Sequence, residues 1–424
     1  MREAELAGSA HPDGSALNHG QRPPMRILFV TWDGPQVSYL ESLFLPIFVG
    51  LKEHGFHFDV LQFRWGDKTS EDRIRTACHS AGAGYRVVPI WRWAGGAGPF
   101  LSALWGGRHV RAATRAFGSE IIMPRSLMPA IAVLRAGGNK LRPILFDSDG
   151  LAADERVDVA GLAPTSLTYR ILRDTEAQIV RLSASVITRT RRASDILYHR
   201  AGPPVTMDAF HTVANGRDEA IFHPHDAAAR QDVRRSLGVE DSAPLLVYAG
   251  SIGPQYRMEA MSSLFNEVRQ LRPDAQLLVL TGSPDLAAEA LGSEAKQAII
   301  MRVPPEEVAR FVAAADVGLA YRSTAFSMQG IAPVKLSEYL LCGLPVIGTA
   351  EIGDTKAAVD AGLFLDDPSG SQAAARWFVD EVIPHREIFR HRAREAGKTL
   401  FSLSRSVADY LRAFEPFRNK TRRG

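Results

Sequence analysis

A chain of 424 residues exceeds what one hydrophobic core usually supports, so two domains of about 200 residues each are expected. Hydrophobic content of 46% and charged content of 23% are ordinary globular values, and a net charge of +3 does not indicate a nucleic-acid binder. Cys78 and Cys342 are far apart and lack metal-ligand spacing, which argues against a disulfide scaffold and suits a reducing, cytoplasmic compartment; no apolar run reaches the ~18 residues that a bilayer crossing needs.

Residues 1–24 are polar, without the apolar core of a signal peptide, and are expected to form a disordered tail; Met25 is a second candidate start. The chain then alternates strands and helices. "RILFVT" (26–31) is a continuous apolar run of the kind buried in a parallel sheet. A helix over 39–55, interrupted by Pro46, leads to a strand at 58–63. Further strands are expected at 85–90, 120–124, 143–149 and 184–190. The Pro-, Gly- and Asn-rich stretch 202–224 places a domain boundary at 208/209. The alternation restarts with strands at 244–250, 275–282, 297–303, 316–321, 344–349 and 362–367, separated by helices near 256–271, 305–314, 334–342 and 372–382. The pattern predicts an α/β chain: an acceptor domain over 25–208 and a second domain over 209–395, both doubly wound and Rossmann-like, facing a cleft. Residues 396–424 are expected to supply a C-terminal helix, running from roughly 386, and a basic tail.

Ligands of such sheets sit at the carboxyl ends of the strands. The loops there, "GSIGPQYR" (250–257), "TGSPD" (281–285), "VPPEE" (303–307) and "YRSTAFSMQGIAP" (321–333), are rich in Gly, Ser and Thr, and their backbone N–H groups can approach an anion. Gly250, Ser251 and Gly253 allow close approach, and Arg257 adds a positive charge; the same residues also make ordinary turns. In "APVKLSEYLLCGLPVIGT" (332–349), Pro333 suits the first helical position, and Lys335 and Glu338 stand three apart on one face. Lys335 can meet a phosphate and Glu338 can accept from two neighbouring hydroxyls. A plain ion pair contributing about 0.2–0.5 kcal/mol satisfies the same spacing.

This last stretch resembles the signature of glycosyltransferase family 4, the group 1 transferases of the GT-B fold, in the form found in a bacterial branch acting on surface polysaccharides. "VANGRDEAIFHP" (213–224), "YAGSIGPQYRMEAM" (248–261) and "VPPEEVARFVAAADVGLAY" (303–321) resemble the family's domain entry, donor-phosphate loop and base-binding segment, in the family's order. "MPRSLMPA" (123–130) and "FDSDGLAADERVDVAG" (146–161) resemble acceptor-side segments of the branch. The resemblance implies a retaining transferase. A nucleotide-diphosphate sugar is its co-substrate, a glycan or lipid-linked sugar its acceptor, and no cofactor or metal is needed. It assigns donor contacts to Gly250, Ser251, Gly253, Arg257, Thr281, Val303, Lys335 and Glu338. Arg125 and Asp149 are candidates beside the acceptor, and each could equally be structural.

Three positions depart from the family's pattern. Gly330 stands where a second Glu is common, Asp149 where an Arg is common, and Met123 where many members have His. These leave open a non-catalytic member of a polysaccharide assembly complex. An epimerase or hydrolase on the same fold would draw on His211 or Asp147. "DSD" (147–149) also matches the Asp-x-Asp that holds a divalent ion in the GT-A transferases, although three residues are a weak signal. Residues 87–117 concentrate Trp91, Trp93 and Trp105 with several arginines, a composition that suits a peripheral contact with the inner membrane as well as it suits a helix with a buried aromatic face. The basic "RNKTRRG" at the C-terminus could likewise touch anionic lipid.

Overall fold

The computed structural model describes residues 23–34, 39–92, 97–350, 352–353 and 355–420, so nearly all of the expected tail, Trp93 and the last four basic-tail residues lie outside it. The apolar runs become buried parallel strands. β1 (Met25–Asp33), β2 (Phe56–Arg64), β3 (Tyr85–Pro89) and β4 (Ile121–Pro124) pair in the order β3-β2-β1-β4, and β5 (Leu145–Asp147), β6 (Ser185–Thr188) and β7 (Phe210–Thr212) pair in sequence. Parallel bridges from Ile122 to Ile144 and from Arg125 to Asp147 join β4 to β5, so the two groups form one layer. The second domain holds β8 (Leu245–Ala249), β9 (Gln276–Leu280), β10 (Ala298–Met301), β11 (Val317–Ala320), β12 (Val346–Gly348) and β13 (Phe364–Asp366), in the order β10-β9-β8-β11-β12-β13. Among the described residues, every strand pair is parallel. In each sheet the order reverses beside the domain's first strand, which makes two Rossmann-like domains with switch points between β1 and β4 and between β8 and β11.

β7 moves the expected boundary. It pairs with β6 through Phe210, His211 and Thr212, so the first sheet continues past residue 208. Three residues between Pro- and Gly-rich segments are too short to carry a strand period. The expected C-terminal helix is also two helices, Arg386–Phe401 and Leu403–Lys420, parted at Ser402, whose backbone is extended. The first lies against the helix Val334–Leu341 of the second domain; Gly397 there has no room for a Cβ, which would lie 2.8 Å from the Leu340 backbone. The second returns to the first domain, where Phe414 packs on Phe56 with ring centroids 4.6 Å apart. At the crossing, the Arg217 N–H donates to the Phe401 carbonyl at 2.9 Å and the Leu403 N–H donates to the Arg217 carbonyl at 2.9 Å, tying the outgoing and returning chains together. Near the N-terminus, Pro46 is the second residue of the helix Leu45–Lys52, which continues directly from a π-helical turn over Leu40–Phe44.

Candidate functional site

The site is built where β8 and β11 part. The Tyr339 ring lies under Gly318, where an added Cβ would stand 2.3 Å from the ring, and its hydroxyl accepts the Ala249 N–H at 2.9 Å. This props open the carboxyl end of β8. Gly250 follows with a φ of +151°, a conformation that L side chains rarely adopt. A Cβ on Gly250 would lie 3.1 Å from the Lys335 Nζ, so the bare backbone and the ammonium face each other closely.

Lys335 is the second residue of the helix Val334–Leu341 and is 8% exposed. Its Nζ lies 3.9 Å from the Tyr248 ring centroid and 5.1 Å from that of Tyr256, and no hydrogen-bond partner meets it among the described residues. Burial, with the Arg322 guanidinium nearby, pushes its pKa well below the ordinary lysine value. Arg322 itself stacks on the other aromatic wall, 4.5 Å from the Tyr256 centroid. Two cations and two tyrosine faces thus gather at the end of β8. Cation–π contact only partly replaces lost hydration, so the ammonium is held ready for an anion.

Glu338 is one turn further and 13% exposed. The Lys335–Glu338 ion pair allowed by the spacing does not form; Glu338 Oε1 instead meets Arg217 Nε at 3.1 Å. Arg217 is held in turn by the Ser42 carbonyl of the first domain and by the Phe222 ring face at 4.8 Å. Burial raises the Glu338 pKa, opposed mainly by Arg217. Pro333 is the residue before the helix, with ψ at 119°, rather than its first member.

The remaining donor-side residues take separate places. The Ser251 carbonyl accepts the Tyr248 hydroxyl at 2.5 Å. Gly253 is extended. Arg257 adopts a left-handed backbone before the helix Met258–Leu271, and its side chain pairs with Glu259 rather than joining Lys335. Thr281 is buried at the end of β9, its hydroxyl accepting the Ser283 N–H at 3.2 Å, and Val303 closes β10 against the second-domain core.

The first domain presents a chain of charges across the cleft. Arg125 meets Asp149 at 2.6 Å, and fully buried Asp147 meets Arg189 at 2.5 Å. Both carboxylates of "DSD" are therefore engaged by arginines. Asp149 has a φ of +55°, which turns its side chain back onto Arg125. Burial, reinforced by Asp149, pushes the nearby Glu155 up to about 7. His211 lies in the edge strand β7 among charges of the C-terminal helix, and burial lowers its pKa.

Segment 326–332 is clamped onto the first domain. The Asp158 carboxylate accepts the Ser327 N–H at 2.7 Å, the Thr190 hydroxyl donates to the Gln329 carbonyl at 2.7 Å, and the Asn215 amide donates to the Ala332 carbonyl at 2.8 Å. This accounts for Gly330, the first of the three departures: a Cβ there would lie 2.9 Å from Leu151 Cγ and 3.0 Å from the Leu151 nitrogen. A side chain at 330 has no space in this arrangement. Beside the clamp, Arg192, Thr324, Ala325, Met328, Gln329, Ile352 and Gly353 line an interdomain cavity of ≈ 330 Å³, adjoining the charged cluster rather than containing it.

Arg217, Arg322, Tyr248 and Tyr256 were not among the residues expected at the site. Their aromatic and charged types carry no spacing signal, and only the fold brings them to Lys335 and Glu338.

Residues 229–400 match the family model of the glycosyl transferases group 1. The chain is 28% identical over 250 residues to a D-inositol 3-phosphate glycosyltransferase of Segniliparus rotundus, a match covering 55% of this chain and 51% of that protein. It thus spans about half the length of the curated relatives it matches. Among solved structures it is similar to Anabaena Alr3699/HepE in complex with UDP and glucose, with a TM-score of 0.66 at 15% identity over 91% of this chain and 98% of that one. It is similar also to sucrose-phosphate synthase from Thermosynechococcus elongatus, with a TM-score of 0.67 at 15% identity over 94% of this chain and 100% of that one. These likenesses define the fold as GT-B.

Proposed function

We propose that this chain, GT-B in fold and a group 1 glycosyl transferase in its second domain, moves a hexosyl group from a nucleotide-diphosphate sugar to a glycan or lipid-linked acceptor, with retention of anomeric configuration, in the assembly of a bacterial surface polysaccharide. The observation that carries the donor half is the unpartnered, buried Lys335 ammonium facing the bare backbone of Gly250 at the switch point. An empty cationic seat of this kind costs folding energy and is explained by an anion that fills it. The Anabaena protein's complexes with UDP, alone and with glucose, make uridine donors the first to test.

In this mechanism the diphosphate lies against Gly250 and Ser251 with Lys335 at its oxygens and Arg322 behind. As the anomeric bond breaks, negative charge grows on the leaving phosphate, and two prepositioned cations in a water-poor cleft stabilise it. Glu338 takes the ribose diol on the carboxylate oxygen that Arg217 leaves free, and the strand ends at Thr281 and Val303 border the base. The sugar projects toward the interdomain cavity beside 324–329. With Asp147 and Asp149 engaged by arginines, neutralisation of the diphosphate falls to Lys335 and Arg322 without a metal ion. Arg125 and Asp149 face the acceptor as a fixed pair, and the departing phosphate takes the acceptor's proton.

A thermal-shift panel of UDP-, GDP-, ADP- and dTDP-sugars on the wild type and on Glu338→Ala tests the donor site, since a ligand bound only by the folded state raises apparent stability. One nucleotide class is expected to stabilise the wild type and not the variant. No shift at millimolar concentration for any nucleotide would end the donor-site assignment. Product analysis with the active donor then separates transfer from hydrolysis and epimerisation.

A further inference from the structure

The small net charge conceals a segregation. From Arg73 to Phe146 there are eleven lysines and arginines and one acidic residue, Glu120, while the rest of the chain is net negative. Arg86, Arg92, Arg108, Arg111 and Arg115 are exposed, and none of them lies against a carboxylate among the described residues. They rest on rings and carbonyls instead. Arg86 sits over Phe117 at 5.9 Å, Arg92 over Trp65 at 5.2 Å and Arg108 over Trp105 at 5.5 Å, and the Arg111 Nη1 donates to the Arg135 carbonyl at 3.2 Å.

The helix Ala97–Ala116 organises this face. Its inner side is made of small residues: a Cβ on Gly106 would lie 2.9 Å from Ala132 Cβ, and one on Gly107 would lie 2.7 Å from the Arg135 backbone. Such close packing fixes the helix's rotation. Trp105, Arg108, Arg111 and Arg115 then share an outward arc of about 120°, along a helix about 30 Å long. Trp105 is 57% exposed and Trp91 is 38% exposed. The backbone N–H of Trp91 donates to the Ser102 hydroxyl at 2.9 Å, which ties the segment carrying Trp91 to the helix one turn before Trp105. Trp91 follows the carboxyl end of β3, on the side where the cleft opens.

We propose that this band docks the first domain on an anionic lipid bilayer. Arginines without acidic partners give electrostatic attraction to anionic headgroups, and exposed indoles between them favour the headgroup level of a membrane. A nucleic acid or soluble polyanion would use the arginines but gain little from two separated tryptophans, one on the helix and one before it. No helix among the described residues is long and apolar enough to cross a membrane, so the contact is with the surface. Docked in this way, the cleft mouth near Trp91 faces an acceptor carried in the same bilayer.

Cosedimentation of the full chain with phosphatidylcholine vesicles, with and without phosphatidylglycerol, tests the inference. Binding is expected only with phosphatidylglycerol, and to weaken as salt is raised. The double variant Arg108→Glu, Arg115→Glu is expected to bind at least roughly fivefold more weakly per arginine lost. Trp105→Ala is expected to weaken vesicle binding with the charge unchanged. Nucleotide-induced thermal shifts serve as the control: retained in both variants, they show that fold and donor site are intact, so the surface stands or falls apart from the donor assignment. Equal binding to neutral vesicles, or no binding to anionic ones, would overturn the proposal. So would tighter binding to heparin or RNA than to vesicles, with Trp105→Ala without effect.

Discussion

Lys335→Met should make the empty protein more stable and the nucleotide-bound protein weaker. The wild-type ammonium is buried without a hydrogen-bond partner, a state that costs about 1–3 kcal/mol. Contact with the Tyr248 and Tyr256 faces returns about 0.5–2 kcal/mol. Methionine fills similar volume without charge, so a net gain of about 1 kcal/mol is expected, or about 2–4 °C in the midpoint of a domain of this size. The same substitution removes a charge-assisted hydrogen bond to the diphosphate, about 1.5–3 kcal/mol, and should weaken UDP binding by roughly 10- to 150-fold. The sign with pH follows from the depressed pKa of Lys335. Between the folded value and the ordinary lysine value the unfolded chain binds the extra proton, so wild-type stability rises with pH across that window, and Lys335→Met should flatten the rise. Urea unfolding from neutral to alkaline pH, with UDP titrations by calorimetry in buffers of different ionisation heat, measures all three effects. At alkaline pH, above the depressed pKa of the empty protein, wild-type binding should take up protons, because the diphosphate raises that pKa; Lys335→Met should remove the uptake. A variant less stable than the wild type when empty, with unchanged UDP affinity, would refute the picture of a charge held for an anion.

Three further outcomes follow from the geometry. Arg217→Met leaves Glu338 without its counter-ion; with both groups 13% exposed the expected loss is about 2 kcal/mol by urea unfolding, with weaker donor binding that Arg217→Lys partly restores. Gly330→Glu, which reinstates the family's common residue, should lower donor turnover rather than raise it and cost about 1–3 kcal/mol, because the new side chain displaces 326–332 from Leu151. Glu176, 3% exposed beside Arg200, is pushed up to about 7 by burial. The folded state therefore holds a proton that the unfolded chain releases between about pH 4.5 and 7, and that share of stability falls as pH rises through the window. Glu176→Gln should match the wild type near pH 4 and exceed it by up to about 3 kcal/mol at pH 8 in thermal or urea melts.

The strands were legible because parallel strands buried on both faces read as unbroken apolar runs, and twelve of them could be placed before the fold was known. β7 escaped because Phe210–Thr212 gains its strand character only from the neighbouring β6. The division of the C-terminal helix at Ser402 was equally unreadable, since no proline or glycine marks it; pairing with Arg217 does. At the site, Lys335 and Glu338 were findable because their charges interrupt an apolar segment. Their partners were not named: Arg217 and Arg322 stand 118 and 13 residues from Lys335, and although one lies in the domain-entry segment 213–224 and the other in the strand-end loop 321–333, no spacing aims either at the charged pair. Gly330 looked like a loss in one dimension, and the close approach of Leu151 from the other domain makes it a steric requirement.

The returning helix Leu403–Lys420 sets an order of events during synthesis. Phe56 and Phe58 of the first domain are covered by Phe414, and the buried Asp147–Arg189 pair lies close to Tyr410. While the ribosome is still making the second domain, the first has its strands but lacks this cover. The second domain, inserted as one continuous stretch, can complete its core first, reversing the usual N-to-C sequence of domain folding. Nascent chains stalled before Leu403 should therefore expose an aromatic face that chaperones and proteases recognise, and the final stretch of translation closes the domain that was begun first.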